Sequence, residues 1–177
     1  MASKKYVLEL RISSDKKEYK VGDTIKFKFV LKNAGKEPFY IFPRGDPYTH
    51  GWFKIVDEDG KDSEILRIVE VELDLSWPEK DDFILLKPGR SHDIEIEGHI
   101  KSGLDVCEEH HEGLFLDFAN SAIRLKGPGK FRIYGQYINL IDHYSTYSPS
   151  RDDVKEWPIN AWTGDLLSEL ITIDIDG

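Results

Sequence analysis

The stretch DVCEEHHEG, residues 105–113, sets the chain's only cysteine, Cys107, three and four positions ahead of His110 and His111. Thiolate and imidazole suit zinc or copper, and on one helical turn Cys107 would face the same way as either histidine. A tetrahedral site still needs further ligands, which His92 or His99 would have to bring from another strand. Cys107 as a nucleophile would have a base nearby, but no orienting third residue or oxyanion turn stands out. The plainer alternative is a solvated acidic loop around a half-buried thiol, because metal signatures normally carry two ligand pairs.

Other stretches invite weaker chemistry. DEDGKDSE, from Asp57, is rich in carboxylates, but its glycine falls fourth and Lys61 fifth, against the order of an EF-hand loop. A hairpin turn at Asp59-Gly60 is the better reading, with a looser calcium site as the alternative. The tripeptide Arg44-Gly45-Asp46 between Pro43 and Pro47 is short enough to arise by chance. Residues 141–165 carry Tyr144, Tyr147, Trp157 and Trp162 in a connection too long for a minimal hairpin. Long connections are often binding loops, and aromatic rings give large contact area at low entropy cost. With Trp52 and the 43–51 loop, these rings form the candidate recognition surface. The competing reading folds Trp157 and Trp162 back to plug the end of the domain.

Such residues need a frame, and the composition bounds it. A chain of 177 residues fits one domain, and 40% hydrophobic content with 9 Phe, 8 Tyr and 4 Trp supplies a core. No apolar run approaches the roughly 18 residues of a membrane span. No leader pattern precedes the first strand, so the expected compartment is the cytoplasm; a leader removed upstream would make it periplasmic or secreted. The net charge of −9 is uneven: residues 1–36 hold ten cations against four acids (+6), the rest fourteen against twenty-nine (−15). An acidic chain repels phosphate, so nucleic acid is not an expected partner.

Period-2 alternation dominates the chain. Leu8, Leu10 and Ile12 share one face; Ile25, Phe27, Phe29 and Leu31 share another, with Lys26, Lys28 and Lys32 opposite. Phe53 and Ile55, Val69 to Leu75, Ile94 and Ile96, Phe131, Ile133 and Tyr137, and Ile171, Ile173 and Ile175 continue the pattern. These make at least seven one-sided strands, which must cover their apolar faces with a second sheet. Strand pairing in such an arrangement sets Lys26 and Lys28 against Asp93, Glu95 or Glu97. Helical turns are expected only at 104–113, 151–156 and 164–169.

Several stretches carry a resemblance. LRISSDKKEYKVGDTIKFKFVLKNAGKEPFYI, LKPGRSHDIEI, GPGKFRIYGQY and WTGDLLSELITIDI look like strand entries and exits of bacterial immunoglobulin-like domains. They also resemble the BsuPI-type intracellular proteinase inhibitor family, whose members are small β-sandwiches. The resemblance implies an immunoglobulin-like antiparallel β-sandwich with inhibitor-like binding. Phe131 departs from it, standing where such folds often have a tyrosine that ties a corner. Tyr134 or Tyr137 must supply that bond, or it is absent.

The expected protein is therefore all-β: one immunoglobulin-like antiparallel sandwich over 1–177, with an enlarged 99–127 connection, a long 139–165 loop and short helical turns in loops. Its expected role is a non-catalytic module recognising a protein partner through end loops. A carbohydrate-binding sandwich and a zinc site or enzyme at Cys107, His110 and His111 are the alternatives.

Overall fold

The computed structural model describes residues 6–43, 53–67, 78–106, 109–118, 121–148 and 153–177. Among them are fourteen strands. They are β1 (Leu8–Ser14), β2 (Glu18–Lys20), β3 (Thr24–Asn33), β4 (Phe39–Ile41), β5 (Phe53–Val56), β6 (Glu64–Arg67) and β7 (Ile84–Leu86). There follow β8 (Ser91–Val106), β9 (Glu109–Phe118), β10 (Ser121–Leu125), β11 (Gly129–Asn139), β12 (His143–Ser148), β13 (Asp153–Pro158) and β14 (Gly164–Asp176). The helical content described is one 3-10 turn, Lys80–Asp82. No helix among the described residues is long and apolar enough to cross a membrane.

Two sheets enclose the core. The larger runs β1-β3-β8-β9-β10-β6 and the smaller β2-β14-β11-β5, while β4 with β7 and β12 with β13 form separate pairs. The ladders are antiparallel except where β2 runs alongside β14 for three residues. The all-β antiparallel sandwich expected from the alternation is the observed architecture.

β3 shows why. Ile25, Phe27, Phe29 and Leu31 are wholly buried, as residues two apart on a pleated strand must be when one face is covered. Phe53 of the smaller sheet packs across the gap against three rings of the larger one: Phe27 at 4.8 Å, Phe29 at 5.1 Å and Phe118 at 5.0 Å between centroids. Each buried ring contributes roughly 1.5–3 kcal/mol by area. Gly135 of β11 keeps this approach open, since a Cβ there would meet the Phe29 ring at 3.1 Å.

On the outer face two lysines of the basic segment 1–36 meet acids of β8. Lys26 stands opposite Glu97 and Lys28 opposite Glu95. The Lys26 ammonium lies 3.6 Å from Glu97 and that of Lys28 2.7 Å from Asp93.

Polar side chains tie the ends. Tyr19 is buried, its hydroxyl accepting the Lys16 amide at 2.9 Å and donating to Asp15 at 2.8 Å. Burial, reinforced by the bond to Asp15, pushes this phenol up to about 12. The Tyr137 hydroxyl bonds both the carbonyl and the amide of Phe42, each at 3.1 Å, a tie to a segment 95 residues away rather than to the corner just upstream where Phe131 departs from the expected tyrosine. Burial raises the Tyr137 pKa as well.

Several local expectations are corrected. The segments expected as helical turns are strand: 104–113 falls in β8 and β9 apart from residues 107 and 108, and 164–169 opens β14. Residues 153–156 of the third segment lie in β13, and residues 151 and 152 are outside the described residues. The enlarged 99–127 connection is largely ladder, with β8, β9 and β10 paired in turn. The turn after β5 is centred on Glu58 and Asp59, with the Gly60 amide donating to the Asp57 carbonyl and Gly60 alone left-handed at φ +81°. Asn33 ends β3 by its side chain: it accepts the Gly35 amide and donates to the Glu37 and Leu86 carbonyls, each at 2.9 Å. The strand expected over Val69 to Leu75, the Arg44-Gly45-Asp46 tripeptide and Trp52 lie outside the described residues.

Candidate functional site

β11 ends at Asn139, which is buried. Its carbonyl oxygen accepts the Ile141 amide at 2.9 Å, and its amide donates to the Trp162 carbonyl at 2.6 Å and the Ile141 carbonyl at 3.2 Å. One side chain thus clamps both ends of the segment between β11 and β14. Backbone bonds complete the base: Ile159 amide to Asp142 carbonyl, Tyr40 amide to Asn160 carbonyl, and Trp162 amide to Tyr40 carbonyl. The Tyr6 hydroxyl also bonds the Asn160 side chain.

The segment above this base is a hairpin, not a loop. β12 and β13 pair in register, with Tyr144 opposite Trp157 and Tyr147 opposite Val154. A small second core fastens it to the body. Phe42, Phe83 and Ala161 are buried there, the two phenylalanine rings 5.0 Å apart, with Tyr40, Ile141, Tyr144 and Ile159 packed around them.

The aromatic candidates therefore separate. Trp162 stacks on Tyr137 at 5.5 Å and packs against the main core. Tyr144 belongs to the second core. Trp157 is 47% exposed on the hairpin. So Trp162 folds back as the plugging alternative expected, and Trp157 does not. Tyr144, Trp157 and Trp162 share one end of the molecule. Leu140, at the foot of the hairpin and 76% exposed, was missed in the sequence. Its signal was parity, since it alternates with the inward Tyr137 and Asn139 along β11 and the residue beyond.

Two of the three metal candidates, His110 and His111, lie next to one another on a strand. His110 pairs with Asp105 and His111 with Leu104 across β8 and β9. Neighbours on a strand point to opposite faces, so at most one of the two imidazoles shares a face with any given ligand. His110 Nδ1 instead lies 2.7 Å from Asp105. Cys107 lies outside the described residues. Among the described residues no three His, Cys, Asp or Glu side chains are placed to hold a metal together. The acids of the Asp57 turn are engaged: Asp57 accepts the Lys61 amide at 2.9 Å, and Lys126 lies 2.7 Å from Asp59 and 3.7 Å from Asp57. The Lys61 bond and the Lys126 charge hold the Asp57 carboxyl below its ordinary value.

A groove of about 840 Å³ runs beside this turn, lined by Arg124, Lys126, Asp57 and Glu112 among others. Arg124 donates to the Glu112 carbonyl and covers the Phe115 ring, so these cations already have partners. None of the aromatic candidates lines the groove. No protein-family model and no curated protein sequence matches the chain, and the functional reading rests on the end of the sandwich that carries β12 and β13.

Proposed function

We propose that the protein is a non-catalytic interaction module, inhibitor-like in manner, that grips a protein partner with the β12–β13 hairpin. The supporting observation is Trp157. A half-exposed indole is held on a two-stranded ribbon whose foot is clamped by Asn139 and by a buried aromatic cluster. A rigid aromatic at a protruding edge is the composition of an interface anchor, where one ring carries a large share of the binding energy. Exposed Leu140 widens the apolar surface at the hairpin's foot.

A panel of serine, cysteine and metalloproteinases tests the inhibitor form. Inhibition by the intact chain is expected, weakened at least roughly ten-fold by Trp157→Ala. Absence of inhibition at micromolar protein discards that form. An equal effect of the intact chain and the Trp157→Ala chain discards the hairpin as the contact.

A further inference from the structure

The outer face of the smaller sheet holds two leucines that an unbroken strand would not place there together. Tyr134 pairs with Leu170 and Gln136 with Leu167, so Ser168 and Glu169 both oppose Gly135. Ser168 is buried in this bulge, its hydroxyl accepting the Gly135 amide at 2.8 Å and donating to the Glu169 carbonyl at 2.6 Å. One extra residue shifts the alternation, and β-bulges commonly serve to re-aim side chains. Leu167 and Leu170 both emerge to solvent, 48% and 45% exposed, beside Tyr134 and Ile138 of β11.

Charge around this apolar strip is divided by strand. The β5–β11 half carries Lys54, Lys130 and Arg132, with Asp62 paired to Lys54 at 3.7 Å. The β14–β2 half carries Glu18, Asp165 and Asp174, with Asp176 beside Lys20 at its far corner. Lys130 and Asp174 share one row of the ladder, and Tyr134 and Leu170 share another.

We propose that this face is a self-association surface, on which two copies of the chain stack about a two-fold axis parallel to the strands and between β11 and β14. That operation exchanges the two halves while keeping the rows. Lys130 of each copy then lies over Asp174 of the second copy, and Tyr134 over its Leu170. A face positive on one half and negative on the other is complementary to itself, whereas a face of one sign would call for a partner of the other. Closed two-fold pairs are the commonest oligomers, and stacked sheets sit about 10 Å apart with strands within about 30°. The overall charge of −9 opposes association only weakly, because repulsion between exposed charges is screened beyond about 8 Å at physiological salt.

Sedimentation of the full chain tests this. The unaltered chain is expected to dimerise, and Lys130→Glu or Asp174→Lys alone to raise the dimer dissociation constant at least about ten-fold by setting like charges together. Mixing the two singly altered chains restores the dimer, since each contact then pairs opposite charges. Leu167→Glu abolishes it, and Trp157→Ala leaves it unchanged, which separates this surface from the hairpin. A chain that stays monomeric to about 100 µM overturns the proposal. So does a dimer indifferent to Leu167→Glu and Lys130→Glu, or a mixture of folded single variants that fails to associate.

Discussion

The body of the sandwich around β3 and the end that carries the hairpin are held together by different physics. In the body, burial is enough: Ile25, Phe27, Phe29 and Leu31 lose all contact with water and interlock with Phe53 of the facing sheet. At the hairpin end the apolar cluster is small, and buried polar groups decide the geometry. Asn139, Tyr137 and Trp162 bond specific backbone groups or stack on one another. Asn33 at the end of β3 repeats the device of Asn139 at the end of β11. Each accepts the amide two residues ahead and donates to a carbonyl on another segment. Apolar packing tolerates approximate shape, whereas a buried amide is satisfied only in one arrangement, so the polar end is where a protruding element is held rigidly.

If this contrast is right, damage to the body should be global and damage to the end local. The largest effect is expected from Phe29→Ala, which leaves a void between the sheets and should cost about 3–5 kcal/mol. Chemical denaturation should show a single cooperative transition at lower denaturant. A change confined to the hairpin would contradict the assignment of Phe29 to the shared core.

Asn139→Ala should cost about 1–3 kcal/mol, because it strands the part-buried Ile141 amide and Trp162 carbonyl. Its signature is spatial. Amide exchange should accelerate over 141–162 well before it does in β3, and uniform acceleration would show that the end is not a separate unit.

Alkali sharpens the contrast from the body's side. The folded protein holds the Tyr19 phenol neutral up to about 12, whereas an unfolded tyrosine ionises near 10. The folded state therefore keeps this proton more tightly. Its contribution is complete below about pH 10 and is lost as pH climbs toward about 12. Urea midpoints should fall through that window and fall less steeply in Tyr19→Phe, with Tyr137 supplying part of the remaining slope. Equal slopes in the two proteins would mean that Tyr19 ionises as freely folded as unfolded.

The same division explains what the sequence revealed. The inward residues of β1, β3 and β11 were legible because each strand keeps strict alternation and one face is covered. The pairing of Lys26 and Lys28 with acids of β8 was legible because the strand order of a sandwich sets β3 beside β8. The opening of β14 was misread as helical for a physical reason. The Ser168–Glu169 bulge puts Leu166, Leu167 and Leu170 at spacings that imitate a helical face. Near 104–113 a second irregularity, at left-handed Gly103, and a ribbon polar along much of its length left no alternation to read. At the hairpin, composition showed where the aromatic rings gather, but which ring faces water depends on the register of Tyr144 with Trp157 and on Asn139, and neither carries an apolar period.

The smallest structural effect should belong to the residue with the largest functional one. Trp157 is half exposed on the ribbon, opposite Tyr144, so Trp157→Ala should cost about 1 kcal/mol or less. Trp162→Ala, five positions on, removes the ring that stacks on Tyr137 and should cost about 3 kcal/mol or more. Denaturation of the two variants side by side gives the ratio directly. A costly Trp157→Ala would place its ring among the structural supports and remove the reason for an indole at a protruding edge. A silent one leaves partner recognition as the role that accounts for a large apolar ring kept in water on a clamped hairpin.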